Sequence, residues 1–562
     1  MNYGDQADNL VRHLLILPFR DEMHAIAPES VDRDLEASIL EQAAQFTEGV
    51  LEPVAASLDH DGVCIVDGRV KTSQQHKDTW QAFCEMGWMT MAEPEPAGQG
   101  LSLALLTACE ELFNRASAPF CMLATSSRTA ASVLAAAAPV EIAENWVPRL
   151  LSGEWAATIC ISEPDAGSDV GRIRTRARRD ENGWLISGEK CWISYGDHDL
   201  TARIGHLTLA RSTDGVGVRG LTLFLIPSTR DDGSENGVKL RRVEEKLGLH
   251  CSPTCQIGFE DSRAVLLGQE GRGLQTLFQM MLMMRLNCGP QGTGVASACL
   301  ASALRYAQDR KQGGAAEKPP VPITQHADVQ RQLLSMAATV ELTRGLNLAT
   351  AMVLDLGRRT AGLSEGLRWN DLAQFLLPLV KDGSAWAAFD TASSAVQVLG
   401  GAGYTCEWPV ERYLRDSRVF PVFEGTTGIQ ALDLVHRRIW RDGCSGLNAF
   451  AEMIAPDAAD QPSLSEAITL LVQSAETLVG MKDSPRAAEA GAVSFLELCK
   501  SVAYGWIAAR IVRLSGNDTV GARMKAAAFF YLDELSARAG YHARLAVAGD
   551  ARLDGFAALA AE

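Results

Sequence analysis

The sequence predicts a multidomain α+β protein in which a compact β region separates two helical regions. The chain has 562 residues, of which 47% are hydrophobic and 22% are charged, a composition typical of globular proteins. At about 150 residues per domain, this length predicts roughly three or four domains. Apolar residues recur at helical spacing on both sides of a central stretch, where short β-type runs alternate with Gly, Asp, Asn and Pro.

We predict an N-terminal helical domain over residues 1–157. Apolar residues recur at the spacing of one helix face in Leu35–Ala43 and again around Leu103–Cys109. The segment 94–100 (PEPAGQG) interrupts this pattern and is predicted to be a loop, because its Gly and Pro residues punctuate regular structure.

We predict a central β domain over residues 158–270. Trp184–Ile186, Leu207–Ala210 and Leu221–Ile226 are short strand-forming runs bounded by turn residues. The glycines of 268–273 (GQEGRG) do not have the spacing of a nucleotide-binding loop, so this segment is predicted to be a turn.

We predict a C-terminal helical bundle over residues 271–440, because the stretches 274–311, 327–357 and 370–400 contain few helix-breaking residues. Between the first two lies 313–322 (GGAAEKPPVP), which is predicted to be a loop because its Gly and Pro residues sustain neither helix nor strand.

The last part of the chain, 441–562, is predicted to be an additional helical domain. Its first segment, 441–465, is rich in Asp, Gly and Pro and is predicted to be a linker. Further on, apolar residues follow one another at helical spacings of four, three and four, at Phe495, Cys499, Val502 and Trp506.

Charge and cysteine content exclude several classes of protein. The 52 Lys and Arg against 69 Asp and Glu leave a formal charge of −17, which argues against a nucleic-acid-binding protein. The thirteen cysteines are scattered and odd in number, so we predict reduced thiols and a cytoplasmic protein. Only Cys251 and Cys255 lie close together, without a second pair of ligands, so no metal site is predicted.

Several common motifs are missing from the sequence. It contains neither the P-loop pattern nor a GxGxxG loop opening a helix, which argues against P-loop and Rossmann nucleotide sites. Without GxSxG or HExxH, hydrolase and zinc-protease functions are also disfavoured. The N-terminus does not resemble a signal peptide, and no run of about 18 apolar residues predicts a membrane span.

Four segments, far apart in the chain, together resemble the acyl-CoA dehydrogenase family. They are 159–170 (ICISEPDAGSDV), 188–199 (GEKCWISYGDHD), 244–261 (EEKLGLHCSPTCQIGFED) and 397–430, which ends in FEGTTGIQ. Their order matches the family over roughly residues 40–440. The resemblance implies the family fold: an N-terminal helical domain, a middle β domain and a C-terminal helical bundle.

Oxidation of an acyl-CoA to its trans-2-enoyl thioester removes a proton from Cα and a hydride from Cβ, which requires a base beside a flavin. By resemblance, Glu424 is the catalytic base. Its apolar, glycine-flexed turn predicts a raised pKa. The alternative is that Glu424 only caps the following helix. Some family members carry the base near Arg285, but the neighbouring Leu282, Met283 and Met284 accept no proton.

The resemblance also assigns residues to FAD and to the substrate. The expected FAD-binding residues are Ile159, Ser162, Ser168, Trp192, Ser194, Arg310, Gln397, Gly400, Gly401 and Thr426. The expected substrate-binding residues are Ser168, Arg285 and Gly425. Arg310 matches an arginine that reaches the flavin of a neighbouring subunit, so the resemblance implies a homodimer or homotetramer. For Arg285, an ion pair on the helix surface is the alternative. For Trp192 taken alone, a core position is the alternative.

The implied function is that of an FAD-dependent acyl-CoA dehydrogenase, with acyl-CoA as substrate and electron-transfer flavoprotein as electron acceptor. Segments such as 196–201 (GDHDLT), together with the extension beyond residue 440, resemble a long bacterial branch of the family. That branch implies a short or medium acyl chain, such as a methylthio-substituted one. An acyl-CoA oxidase and a non-catalytic scaffold on the same fold are the alternatives.

Overall fold

The computed structural model describes residues 2–560, apart from the side chain of Gln279. The helices of this part are α1 (Tyr3–Leu15), α2 (Arg20–Ile26), α3 (Arg33–Phe46), α4 (Glu52–Asp61), α5 (Gln74–Glu85), α6 (Leu103–Ala137), α7 (Val140–Leu151), α8 (Gly273–Asp309), α9 (Ala327–Arg359), α10 (Ser364–Leu399), α11 (Val410–Ser417), α12 (Thr427–Leu432), α13 (Ser445–Ala458), α14 (Pro462–Gly480), α15 (Pro485–Leu514), α16 (Thr519–Ala546) and α17 (Phe556–Leu559). The strands are β1 (Cys64–Val66), β2 (Arg69–Lys71), β3 (Trp155–Cys160), β4 (Arg176–Asp180), β5 (Gly183–Ser194), β6 (Arg203–Arg211), β7 (Leu221–Pro227), β8 (Val238–Val243) and β9 (Thr254–Leu267).

The predicted α+β class and the order of helical, β and helical regions are confirmed. All three strand-forming runs lie in β5, β6 and β7, and the three long helical stretches correspond to α8, α9 and α10. The four residues at helical spacing near the C-terminus lie in α15 and are fully buried. The division into four consecutive domains stays a prediction.

The predicted linker over 441–465 is wrong, because most of it is helical. Leu447, Phe450, Ile454 and Ala458 follow at spacings of three, four and four and are buried on one face of α13. Pro462 does not break α14 because it lies at the first position, where the missing N–H has no helical acceptor, and Pro456 lies two residues before the end of α13. Composition concealed an amphipathic helix here.

A short hairpin, β1–β2, interrupts the predicted N-terminal helical region. Its turn is Asp67–Gly68, and both residues have positive φ, 51° and 73°. Asp-Gly between two short strands is a strong hairpin signal, which the helical prediction overlooked.

The residues pack into two compact units, each assembled from separate stretches of chain. The β unit comprises Glu48–Gly100 and Ala116–Met284; the helical unit comprises the described residues up to Thr47, Leu101–Arg115 and those from Arg285 onward. The boundary between Arg115 and Ala116 lies next to a kink in α6, where Ser117 leaves the helical conformation two residues before Pro119.

In the β unit, a seven-stranded sheet closes on itself through the pairings β6–β4–β5–β9–β7–β6, with β3 parallel to β6 and β8 antiparallel to β9. Apolar residues alternate between its two faces, as the period of two in a strand requires. Leu223 and Leu225 pack with Trp146 of α7, whereas Phe224 and Ile226 pack in the second core on the other face.

In the helical unit, the long helices α9 and α10 pack against each other and against the C-terminal helices α15 and α16. Phe450 of α13 lies between Phe375 of α10, with ring centroids 5.4 Å apart, and Trp506 of α15, at 5.9 Å. The chain beyond residue 440 therefore shares a core with the predicted bundle.

Candidate active site

Glu424 lies in a tight turn between α11 and α12, within the helical unit. Glu424 and Gly425 both have left-handed backbones, with φ of 52° and 90°. A Cβ on residue 425 would lie 2.8 Å from Nε2 of Gln430, so only glycine fits there without displacing that side chain. A left-handed glutamate is uncommon and marks a constrained backbone.

Two buried side chains hold the carbonyl groups of this turn. The ammonium of Lys381, on α10, donates to the carbonyls of Phe420 at 3.0 Å and Gly425 at 2.7 Å. Gln430 Nε2 donates to the carbonyl of Glu424 at 3.0 Å. Both side chains are buried, so the turn is hydrogen-bonded on the side that faces the protein interior.

The Glu424 side chain remains free of such bonds. In the described part of the chain its carboxylate accepts no hydrogen bond, and its backbone N–H has no acceptor. Burial raises the pKa of Glu424, while the charges of Arg285 and Lys381 partly counteract this rise. The predicted rise in pKa is therefore confirmed. A carboxylate with a raised pKa and no fixed partner is suited to accept a proton.

The alternative role of Glu424 as a helix cap does not hold. Helix α12 is capped by Thr426, whose hydroxyl accepts from the N–H of Ile429 at 3.4 Å. Thr426 is exposed. Its assignment to FAD stays a prediction.

Arg285 forms an ion pair, but not on the surface. Its Nη1 lies 3.5 Å from Asp433, and the two side chains are only 11% and 5% exposed. Because its charge also acts on Glu424, the structure places Arg285, Glu424 and Gly425 in one neighbourhood. Substrate binding by Arg285 and Gly425 stays a prediction.

In the β unit, the two motifs around Ser162 and Trp192 lie side by side. Ile159 lies in β3, and the N–H of Cys191 donates to the carbonyl of Ser162 at 3.0 Å. The Thr158 hydroxyl donates to the carbonyl of Ser194 at 2.9 Å.

A buried ion pair fastens these motifs together. Lys190, next to the Trp192 motif, donates to the Glu163 carboxylate at 2.7 Å and to the carbonyl of Ile161 at 2.9 Å. Glu163 also accepts from the N–H groups of Arg174 and Thr175, at 2.6 and 3.0 Å. Burial tends to raise the pKa of Glu163, but Lys190 and these donors outweigh it and lower that pKa.

Trp192 is not a core residue. It lies in a bulge of β5, with φ of 63°, and 62% of the residue's surface is exposed. Ser168 is also exposed, and no atom lies within 4 Å of a Cβ built on the neighbouring Gly167. An outward-facing indole fits packing against a flat aromatic ring such as the isoalloxazine of FAD.

The remaining predicted FAD residues lie on the surface of the helical unit. Arg310 follows the last turn of α8, while Gln397, Gly400 and Gly401 lie at the end of α10; all four are exposed. Gly400 has φ of 62°, and a Cβ built on it or on Gly401 meets no atom within 4 Å. Open backbone of this kind fits close approach by a dinucleotide.

Sequence reasoning missed four residues that shape these sites: Lys381, Gln430, Lys190 and Glu163. Glu163 and Lys190 lay within the quoted motifs, and a charged residue of each sign among apolar neighbours, just after β3 and within β5, was a usable signal for a buried pair. Gln430 ended the last motif. Nothing in the local sequence around Lys381 marked it.

The described residues lack two features of other classes of protein. In residues 2–560, no three His, Cys, Asp or Glu side chains are grouped so that they could hold a metal ion. No helix in the same part of the chain is long and apolar enough to cross a membrane.

Comparison with known families gives three matches in sequence order. Residues 34–154 match the acyl-CoA dehydrogenase N-terminal domain, 158–262 the middle domain and 271–439 the C-terminal domain. The 3-methylmercaptopropionyl-CoA dehydrogenase of Ruegeria pomeroyi is 34% identical over 93% of this chain and 94% of its own. The mitochondrial short-chain specific acyl-CoA dehydrogenase of Mus musculus is 30% identical over 69% of this chain and 86% of its own.

Solved structures show the same fold. The acyl-CoA dehydrogenase of Bacillus anthracis, complexed with FAD, superposes with a TM-score of 0.74 over 91% of this chain and 87% of its own, at 21% identity. A glutaryl-coenzyme A dehydrogenase in complex with glutaryl-CoA gives a TM-score of 0.61 over 72% of this chain and 95% of its own, at 26% identity. The predicted family fold is confirmed.

Proposed function

This chain belongs to the acyl-CoA dehydrogenase family, and from that membership we propose that it is an FAD-dependent enzyme that oxidises an acyl-CoA thioester to its trans-2-enoyl-CoA. The observation that carries the proposal is Glu424: a carboxylate with a raised pKa that accepts no hydrogen bond from residues 2–560, in a turn whose carbonyls are held by Lys381 and Gln430.

The chain's own residues perform the proton half of the reaction. Glu424 accepts the α-proton, and its raised pKa brings its basicity closer to what a weakly acidic C–H requires. Its unpaired backbone N–H is available to the thioester oxygen, where it stabilises the developing enolate as an oxyanion-hole donor does. Gly425 permits the left-handed backbone, with φ of 90°, that the turn adopts directly after Glu424.

The residues that would hold FAD are Ile159, Ser162, Ser168, Trp192, Ser194, Arg310, Gln397, Gly400, Gly401 and Thr426. When bound, it supplies a hydride acceptor for the substrate Cβ. The exposed indole of Trp192 and the open backbone at Gly167 and Gly400 support this assignment.

The acyl group is proposed from the relatives. The long relative from Ruegeria pomeroyi acts on 3-methylmercaptopropionyl-CoA by its name and covers the C-terminal extension as well. We assign this chain a short or medium acyl chain, including methylthio-substituted ones. In the methionine-rich part of α8, Met280 is buried in the core of the β unit, and Met281 and Met284 pack partly buried against that core.

Electrons would pass to electron-transfer flavoprotein, and the protein would work in the cytoplasm as a homodimer or homotetramer. The exposed position of Arg310 agrees with a role toward a neighbouring subunit. The relatives reported above are dehydrogenases, so they do not support the oxidase alternative. Turnover that produces hydrogen peroxide at the rate of substrate consumption would overturn this choice of acceptor.

The test of the function is substrate bleaching of the purified yellow protein under anaerobic conditions. An acyl-CoA panel that includes butyryl-CoA and 3-methylmercaptopropionyl-CoA should bleach the wild-type flavin. Glu424→Gln should keep its flavin and bleach about 10²–10⁴-fold more slowly, because the general base is lost. Glu452→Gln, at an exposed position of α13, is the matched control and should bleach normally. Full bleaching by Glu424→Gln would refute the assignment.

A further inference from the structure

The C-terminal extension places a lysine next to the bundle helix that supports the Glu424 turn. Lys500, on α15, lies 2.7 Å from Oδ2 of Asp382 on α10. The two side chains are 7% and 0% exposed. Lys500 also lies 2.7 Å from Glu497 on its own helix. A buried carboxylate of the predicted bundle is therefore paired with a cation from the chain beyond residue 440.

The other oxygen of Asp382 faces the turn. The hydroxyl of Thr427 donates to Asp382 Oδ1 at 2.6 Å, and Trp386 Nε1 donates to that hydroxyl at 2.9 Å. Thr427 is the first residue of α12 and lies three residues after Glu424. A continuous chain of polar contacts thus runs from Lys500 through Asp382 to the segment that carries Glu424.

We propose that Lys500 is a positioning residue for Glu424, acting through Asp382 and Thr427, and that this is one purpose of the C-terminal extension. The proposal rests on the proposed function, in which Glu424 is the base.

The reason is charge balance around Lys381. Asp382 is adjacent in sequence to Lys381, and its charge acts on that ammonium. Because Lys500 pairs with Asp382, the Lys381 ammonium is left to donate to the carbonyls of Phe420 and Gly425. Without Lys500, the buried Asp382 carboxylate has no cationic partner of its own. It then competes with the carbonyls of Phe420 and Gly425 for the Lys381 ammonium, and the turn loses hydrogen bonds.

Lys500 is suited to this task because it stays charged. Burial disfavours its cationic form, but the charges of Asp382 and Glu497 more than compensate, and its pKa lies above the ordinary value.

The first experiment compares the FAD-loaded full-length wild type with Lys500→Met. Hydrogen exchange measured by mass spectrometry should be faster in peptides covering 420–432, and flavin bleaching should be roughly tenfold slower or more, because a base displaced by about 1 Å loses its alignment. Flavin content should be unchanged. Lys482→Met, an exposed lysine of the same extension, is the matched control and should change neither readout.

A double variant separates positioning from general stability. In Lys500→Met/Asp382→Asn, the uncompensated charge is gone but an oxygen still accepts from Thr427, so exchange and bleaching should recover most of the loss seen in Lys500→Met. Lys500→Arg should also retain most of the wild-type rate. The proposal would be overturned if the bleaching rate of the double variant fell by the product of the fold-losses measured for the two single variants.

A neighbouring cavity permits chemical rescue. Lys500, Glu497 and Tyr504 line a cavity of about 300 Å³ together with Trp386. In Lys500→Ala, added ethylammonium should occupy the vacated space and restore bleaching in a saturable manner, whereas sodium at equal ionic strength should not. Equal effects of both ions would contradict the proposal.

If Lys500→Met does not fold, Thr427→Val removes the hydrogen bond at the other end of this series of polar contacts. This variant should slow bleaching and increase hydrogen exchange in the same peptides. Thr427→Ser keeps the hydroxyl and should do neither. Normal bleaching by Thr427→Val would overturn the proposal. Failure of the proposed function is distinguishable, because wild type itself would then not bleach, or Glu424→Gln would bleach as wild type does.

Discussion

Each unit contains a candidate functional segment that is held by its own buried lysine, but the positive charges of the two lysines are neutralised in different ways. Lys190 supports the segment around Trp192 and has its own carboxylate, Glu163, at 2.7 Å. Lys381 supports the turn of Glu424 and donates to two carbonyls, while the adjacent Asp382 pairs with Lys500. Both segments contain a non-glycine residue with left-handed backbone, Trp192 and Glu424.

The difference between a local ion pair at Lys190 and carbonyl acceptors at Lys381 reflects what each segment is proposed to do. The β motifs need only a fixed shape, which a local ion pair with several further hydrogen bonds supplies. Under the proposed function, the Glu424 turn must keep its shape and present a carboxylate with a raised pKa, and the charge of the nearby Asp382 is balanced by Lys500, from a distant part of the chain. The two lysines should therefore respond differently to substitution.

The largest effect is expected for Lys190→Met. It leaves Glu163 buried without its cation and should lower the free energy of unfolding by about 3–5 kcal/mol, with loss of bound flavin. Thermal unfolding and the ratio of flavin to protein absorbance measure this. Lys239→Met, which breaks a surface pair with Glu235, is the control and should cost less than about 1 kcal/mol. Equal losses from the two variants would contradict a structural role for the buried pair.

An intermediate effect is expected for Lys381→Met. It removes the donor from two carbonyls of the turn and should cost about 2 kcal/mol of stability, while flavin stays bound. Because a positive charge near Glu424 is lost, the pKa of Glu424 should rise further. The pH at which bleaching is half-maximal should then move upward. A pH profile of the single-turnover rate measures this, and an unchanged or lowered midpoint would contradict it.

The smallest effect is expected for the stability of Glu424→Gln. Since the folded-state pKa of Glu424 lies above its ordinary value, the folded wild type holds this proton more tightly, and its stability falls as pH rises between the two values. Glutamine lacks this penalty. The variant should therefore melt about 1–2 °C higher than wild type at neutral pH, and the difference should vanish below the ordinary glutamate pKa. A variant less stable than wild type at neutral pH would contradict this sign.

Much of the fold was accessible to local patterns. The strands at Trp184–Ile186 and Leu221–Ile226 followed from strand-forming residues bounded by turn residues, and the long helix α9 followed from a stretch with few helix-breaking residues. The linker predicted over 441–465 was wrong because composition outweighed the apolar spacing of α13. Within the candidate site, the residues of contiguous motifs, Glu424 and Trp192 above all, were predicted from sequence, and their roles stay predictions.

By itself, the sequence determined the family and the order of the elements, and it supplied the motifs from which the base and the flavin-binding residues are proposed, since each of these is written in neighbouring residues. Only the tertiary structure decided that Lys381 holds the Glu424 turn, that Lys190 pairs with Glu163, and that Lys500 neutralises Asp382 from 118 residues away. The physical reason is that burial and charge pairing depend on which side chains the packing of distant helices and strands brings together, and spacing along the chain does not encode that.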